Sequence, residues 1–487
     1  MENDVVSGIT LVGLGPGGVN YLTLDAWRVL EKASEIYLRT AQHPTVAELP
    51  AHLQLHSFDD LYEQSPDFES VYEQIVAEVL RLGKRQGGVV YAVPGHPYIA
   101  EATCPEIARL ADESGIPVKV VEGLSFLEPS FRAIGVDAFP FTVLVDALEL
   151  VSSHVPPFPP TAAALIAQVY SPAIAADIKL TLMAVYPDEH PVKLVHAAGT
   201  ADERVETLAL YEIDRSPYVG GLTSLYLPPL SPGTSFEAFQ EVIAHLRAPD
   251  GCPWDREQTH QSLRSHLLEE TYELLSALDD DNTPAIREEL GDLLLQIVLH
   301  AQIASEDGGF SMADVLRGIH TKIVYRHPHV FSDLDLKDVS GVLENWEKLK
   351  AAERVANGKS EESLLDGVAK ALPALVQAEE YQRRAARIGF DWSEVQGVID
   401  KVREEMEELR TAPEGVQRSS EFGDLLFAIV NLARWYAIDA ESALREANAR
   451  FKRRFVKIEQ AARTQGRSLT DLTMDELDAL WELAKKG

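Results

Sequence analysis

The chain reads as a multidomain protein, an α/β region followed by an all-α region. Three features lead to that expectation. Before residue 230, short β-branched runs alternate with helical stretches, the pattern of an α/β fold. Residues 226–235, YLPPLSPGTS, read as a linker by their Pro, Gly and Ser content. Beyond it, almost every segment repeats its apolar residues at helical spacing among Glu, Arg, Leu and Ala. The expected division is an α/β domain at 1–228, a linker at 229–236, and two helical domains at 237–355 and 356–487.

The totals narrow the function. With 487 residues, 46% hydrophobic and 25% charged, the chain has core material for several domains. It carries 77 acidic against 44 basic residues, a formal charge of −33. Such a surface repels polyanions, which argues against nucleic acid as a partner. A small anionic substrate needs a cation or a local basic pocket. The two cysteines, Cys104 and Cys252, build neither a zinc site nor a disulfide framework, and this usage fits a reducing, cytoplasmic setting. The opening MENDVVSG is acidic and does not read as a signal peptide. No apolar run reaches the length of about 18 residues that a membrane span needs.

In the α/β region the expected strands include Ile9–Leu14, Val89–Val93, Val118–Val121, Phe141–Val145, Leu180–Ala184 and Val192–His196. The first ends in GLGPGG (13–18), a turn that lets backbone approach a ligand closely. It is not the dinucleotide fingerprint, because Pro16 falls inside it and no acid follows at the usual distance. VVYAVPGHPYIAEAT (89–103) and VKVVEGLSFLEPSF (118–131) are further strand ends of the same style. The three either converge on one ligand cleft or are plain βα punctuation.

The helical region repeats itself. LLEETYELLSAL (267–278) and REELGDLLLQIVLHAQ (287–302) return as VREEMEELR (402–410) and SSEFGDLLFAIVNLAR (419–434). The offset is 135 for the first element and 132 for the second, a slip assigned to the loop between helices. The first copy carries Glu269, Glu270, Glu273, Glu289 and Asp292; the second carries Glu404, Glu405, Glu408, Glu421 and Asp424. Residues i and i+3 share a helix face. Glu270 and Glu273 therefore lie with Leu267, Leu274 and Ala277, and Glu289 and Asp292 with Leu293, Gln296 and His300. Acids crowded on an apolar stripe repel one another and lose hydration. A hard divalent cation resolves that conflict, and carboxylate oxygens are what Mg²⁺ selects, with Mn²⁺ as a substitute. The bland alternative is a set of solvated surface glutamates.

Two basic islands without acids stand out in so acidic a chain. HTKIVYRHPH (320–329) places Lys322 and Arg326 on one helical face, and NARFKRRFVK (448–457) does the same for Arg450 and Arg454. These residues are candidates to grip phosphates, or else they form surface ion pairs. Trp254 either stacks on a base or caps a core. Asn431, seven residues after Asp424, either bonds a base or a metal-bound water, or is packed or solvent-exposed.

Residues 236–487 resemble the MazG family of all-α nucleoside triphosphate pyrophosphohydrolases. The resemblance rests on GCPWDREQTH (251–260), LEETYEL (268–274), EELGDLL (288–294), YRHPHVF (325–331), NWEKLK (345–350), IGFDW (388–392), EFGDLLF (421–427) and NARFKRRF (448–455). It implies tandem helical bundles, a homodimer, and cleavage of a triphosphate to monophosphate and pyrophosphate. On it, Glu270, Glu273, Glu289 and Asp292 are candidate Mg²⁺ ligands, with Glu405, Glu408, Glu421 and Asp424 as counterparts. Glu269 and Glu404 are candidates to position or deprotonate water. Residues 7–225 resemble the tetrapyrrole (corrin/porphyrin) methylases, two-lobed α/β domains that bind S-adenosylmethionine between the lobes. By position, Pro16, Gly95, Ile99, Ala100, Ser125 and Phe126 would line that site. Many members have Gly-Asp-Pro where this chain has Gly95-His96-Pro97, which puts methyl transfer to a tetrapyrrole or other acceptor in question. The competing readings are a methyltransferase whose helical half only dimerises, and a nucleotide or cofactor sensor without turnover.

Overall fold

β-Branched runs bounded by glycine or proline become strands in the N-terminal half. The computed structural model describes residues 8–65, 67–332, 334, 338–356 and 363–486. It divides into two compact units, Met1–Leu246 and Arg247–Gly487. The first unit holds two five-stranded sheets. One is built from β1 (Ile9–Gly13), β2 (Glu35–Leu38), β3 (Gln54–Ser57), β4 (Val89–Val93) and β5 (Val118–Val121). Its order is β3-β2-β4-β1-β5, and every pair is parallel. Helices cover both faces, so β1 is buried along its whole length. Ile9 and Leu11 pack on one side with Val79 and Ile107; Val12 and Leu14 pack on the other with Ala26 and Leu30.

The second sheet contains β6 (Thr142–Asp146), β7 (Ala163–Ala167), β8 (Pro191–His196), β9 (Arg204–Ala209) and β10 (Thr223–Leu227). Its order is β6-β7-β10-β8-β9, antiparallel except for β6 with β7. The run Leu180–Ala184, expected as a strand, lies instead in and just after the helix Pro172–Met183. Ser171 caps that helix by accepting from the Ile174 amide, and Pro172 supplies the first-turn torsion. Ala175, Ile178 and Leu182 then fall on one buried face, so helical spacing overrides the short apolar run.

In the second unit the named helices are α1 (Arg264–Asp279), α2 (Thr283–Glu306), α3 (Met312–Arg326), α4 (Val339–Ala356), α5 (Ala374–Arg387), α6 (Val395–Thr411), α7 (Val416–Trp435), α8 (Ala440–Thr464) and α9 (Met474–Lys486). α1 packs on α2 and α6 on α7, giving two hairpins of the same kind. The slip between the repeats is not mainly in the connector. α1 runs six residues beyond Glu273, whereas α6 runs three beyond Glu408, so the extra residues extend a helix by most of a turn. Large apolar side chains on and between the helices stand in solvent: Val416 is 90% exposed, Phe390 80% and Ile388 70%. No helix among the described residues is long and apolar enough to cross a membrane.

Candidate active site

The first hairpin turns its acids toward each other. Glu270 and Glu273 from α1 and Glu289 from α2 each place a carboxylate oxygen within 4.8 Å of the others. Asp292 stands close enough for its charge to be felt. Burial, followed by the charges of Asp292, Glu273 and Glu269, raises the pKa of Glu270 above the usual range. Glu289 is raised by burial and then by Glu273 and Asp292. Three anions held this close, Glu270 and Glu289 half-buried and Glu273 exposed, repel one another, and an oxygen-seeking dication would relieve that, so the donor set fits Mg²⁺. Glu269 is exposed on the outer side of α1.

The second hairpin repeats the trio with Glu405, Glu408 and Glu421, again with oxygens within 4.8 Å. Here Glu405 is only 5% exposed, and its Oε2 is buried without a hydrogen-bond partner. Lys401, one turn earlier on α6, lies 2.7 Å from Glu405 Oε1 and 2.8 Å from Glu404 Oε1. Glu404 thus faces an ammonium group rather than open solvent alone. Asp424 is exposed and outside the tight trio. A hollow of about 450 Å³ lies between the end of α6 and the start of α7, lined by Leu409, Arg418, Ser419 and Phe422 among others. Its walls adjoin Glu408 and Glu421 in sequence.

The basic and aromatic candidates divide into engaged and free. Arg326 is committed: it donates to Glu353 of α4 at 2.6 and 3.0 Å and lies 5.4 Å from the centre of the Trp346 ring. That placement matches the ion-pair alternative rather than a phosphate grip. Lys322 has no ion-pair partner among the described residues and is half-buried. Arg450 pairs with Glu446 at 3.0 Å on its own helix, while Arg454 lies over the Trp481 ring. Asn431 is buried, and its Oδ1 accepts two bonds from Arg434, itself paired with Asp391; its carbonyl is a structural acceptor. Trp254 is 57% exposed, which removes the core-capping alternative. Its ring meets His266 edge-on at 6.4 Å, one turn before Glu270, so it borders the first cluster. His300 is bonded Nδ1 to Nδ1 with His260 at 2.8 Å, their rings stacked.

Lys401, His266 and Trp481 were not singled out from sequence. Lys401 was legible in principle, since Lys at i and Glu at i+4 share a helix face. Trp481 comes from a helix distant in sequence from Arg454 and left no local signal.

In the first unit, three strand ends close on one another. After β1 and β4, Gly15 and Gly95 exchange backbone hydrogen bonds of 3.1 and 2.8 Å. A Cβ on Gly123, just after β5, would stand 2.3 Å from the Gly95 oxygen and 2.8 Å from the Gly13 carbonyl carbon. Only hydrogen fits there. Gly95 itself has φ +67° and open space where a side chain would be, which leaves a backbone cradle. Pro16 and Ile99 are half-buried beside these turns, and Ala100 takes the strained φ of 52°. Buried Ser125 donates to Glu128 and caps the turn that carries Phe126. The cradle and its rim fit a small bound cofactor. His96 points its Nδ1 at the Tyr98 amide at 3.0 Å.

Comparison with known proteins adds the following. The family model of the MazG nucleotide pyrophosphohydrolase domain matches residues 258–331, which take in the first acid cluster. That of the tetrapyrrole (corrin/porphyrin) methylases matches residues 8–214. The uncharacterized protein YabN of Bacillus subtilis is 43% identical over 98% of this chain and 98% of its own. The nucleoside triphosphate pyrophosphohydrolase/pyrophosphatase MazG of Thermotoga maritima is 44% identical over 52% of this chain and 97% of its own. Among solved structures, uroporphyrin-III C-methyltransferase from Thermus thermophilus is similar at 24% identity and a TM-score of 0.37, covering 45% of this chain and 94% of that one.

Proposed function

The chain belongs to the MazG family of nucleoside triphosphate pyrophosphohydrolases, with a tetrapyrrole methylase domain ahead of it, and from that membership we propose that its helical unit hydrolyses nucleoside triphosphates to monophosphates and pyrophosphate on divalent cations. The observation that carries the reading is the meeting of three carboxylates in each of two hairpins. Mg²⁺ there would supply charge against the phosphate oxygens and make water more acidic. Glu270, Glu273 and Glu289, with Asp292 beside them, hold the ion in the first hairpin. Glu405, Glu408 and Glu421, with Asp424 at the rim, hold it in the second. Glu269 and Glu404 are the nearby acids able to take the proton that water loses as the bond between the α and β phosphates breaks. Lys322, Arg450 and Arg454 offer phosphates positive charge, and exposed Trp254 offers a base a stacking face. Removal of nucleotides from a cytoplasmic pool is the role this chemistry suits.

The exposed apolar side chains on these helices support a homodimer, to be measured by light scattering. The test of function is pyrophosphate release from a panel of nucleoside triphosphates. Release is expected with Mg²⁺ or Mn²⁺, lost on chelation, and reduced at least tenfold in an E273Q/E408Q variant. Undiminished release after either treatment overturns the reading.

A second reading concerns the first unit, where the open cradle at Gly95 favours binding of S-adenosylmethionine. Pro16, Ile99, Ala100, Ser125 and Phe126 form its rim. Methyl transfer to a tetrapyrrole or other acceptor would then need the sulfonium methyl aligned with the acceptor atom. His96 stands where many relatives carry Asp, so binding is proposed ahead of turnover. Calorimetry of the full chain with S-adenosylmethionine tests it, and absence of heat at millimolar ligand refutes it.

A further inference from the structure

The two acid clusters are built alike but differ in the residue one turn before them. The residue four before the first glutamate of the trio is Lys401 in the second hairpin and His266 in the first. Lys401 Nζ donates to Glu404 Oε1 at 2.8 Å and lies 2.7 Å from Glu405 Oε1, a positive charge built into the cluster. Its contact occupies Glu405 Oε1, while Oε2 of the same buried carboxylate has no partner. In the first hairpin, among the described residues, Glu270, Glu273 and Glu289 form no ion pair, and His266 stands one turn before Glu270 where the second hairpin has its lysine.

Resting on the metal-site reading above, we propose that Lys401 sets the divalent-cation affinity of the second cluster, so that the two clusters fill at different cation concentrations, the first before the second. A dication entering the first cluster relieves repulsion among three carboxylates with nothing to displace. One entering the second meets a fixed positive charge bound to one of its would-be ligands, and must share Glu405 or drive the ammonium off. Between the two affinities, the first cluster is charged with metal while the second still holds its lysine.

The experiment titrates the full-length chain with Mn²⁺ alone and follows free ion by electron paramagnetic resonance, a readout independent of turnover. The parent is expected to show two classes of site separated by about tenfold. An E270Q/E273Q variant isolates the second cluster, and adding K401M should tighten the remaining class by about tenfold. An E405Q/E408Q variant isolates the first, and adding H266K should weaken it by a similar factor. If K401M leaves the isolated second class unchanged while that class still disappears in E405Q/E408Q, the role of Lys401 is overturned and the metal sites stand. If neither glutamine pair removes a class, the metal-site reading itself falls, and this inference with it.

Discussion

Glu270 and Glu289 hold protons more tightly than an ordinary glutamate because burial and neighbouring carboxylates disfavour their charge. The sign of the consequence follows from linkage. A carboxyl whose folded pKa lies above its unfolded value of 4.5 stabilises the fold fully below that value and loses the contribution as pH rises through the folded pKa. In metal-free protein, E270Q should therefore be the more stable form near neutrality, by less than about 1 kcal/mol at so open a site. The advantage should shrink toward about pH 4.5. Using the difference between variant and parent cancels His300, whose lowered pKa acts in the opposite sense. With saturating Mg²⁺ the order should reverse, because only the parent gains the full binding free energy; thermal unfolding reads both. Trp254 and Arg326 make a contrasting pair. Trp254 is exposed beside the first cluster, so W254A should raise KM several-fold, as loss of about 1 kcal/mol of stacking would, with little change in melting. Arg326 is bound to Glu353 and Trp346, so R326A should lower the melting temperature, with KM little changed.

At the scale of elements, the second hairpin depends on a glycine. A Cβ on Gly397 would stand 2.3 Å from Trp392 Cδ1, so G397A must push the indole away or displace the first turn of α6. A cost of about 1–3 kcal/mol is expected, read as a lower urea midpoint, together with weaker cation binding at Glu405 on the same helix. The hairpins themselves were legible because their cause is local: acids and apolar residues share a period along α1, α2, α6 and α7. β1, β4 and β5 were legible for the same reason, being β-branched runs closed by Gly or Pro. Leu180–Ala184 was misread because a short apolar run does not distinguish strand from buried helix, and the Ser171-Pro172 start lay nine residues back. β2 and β3 were not picked out, being four residues each and partly polar. The site divides along the same line. The acid trios could be read from spacing, while the partner of Arg326 lies 27 residues away on another helix, where spacing says nothing.

For the whole molecule, a net charge of −33 makes an anionic ligand such as a triphosphate depend on a local device in the helical unit. The helical unit has carboxylate trios, proposed above to recruit dications; the α/β unit has an open glycine at the end of β4, which gives room for a ligand at no cost in charge. Each device is also made by elements of one unit only: β1, β4 and β5 in the first, the two hairpins in the second. The two proposed sites should then separate by substitution. Gly123 sits where any side chain strikes the Gly95 oxygen, so G123A should spread the β1, β4 and β5 turns and abolish S-adenosylmethionine binding by calorimetry. Pyrophosphate release by the same protein should stay within about twofold of the parent. Conversely, E273Q/E408Q should suppress hydrolysis and leave the calorimetric affinity for S-adenosylmethionine intact. If G123A, with an unchanged circular dichroism spectrum, lowered hydrolysis as strongly as cofactor binding, the first unit would be a control element for the second rather than a separate site.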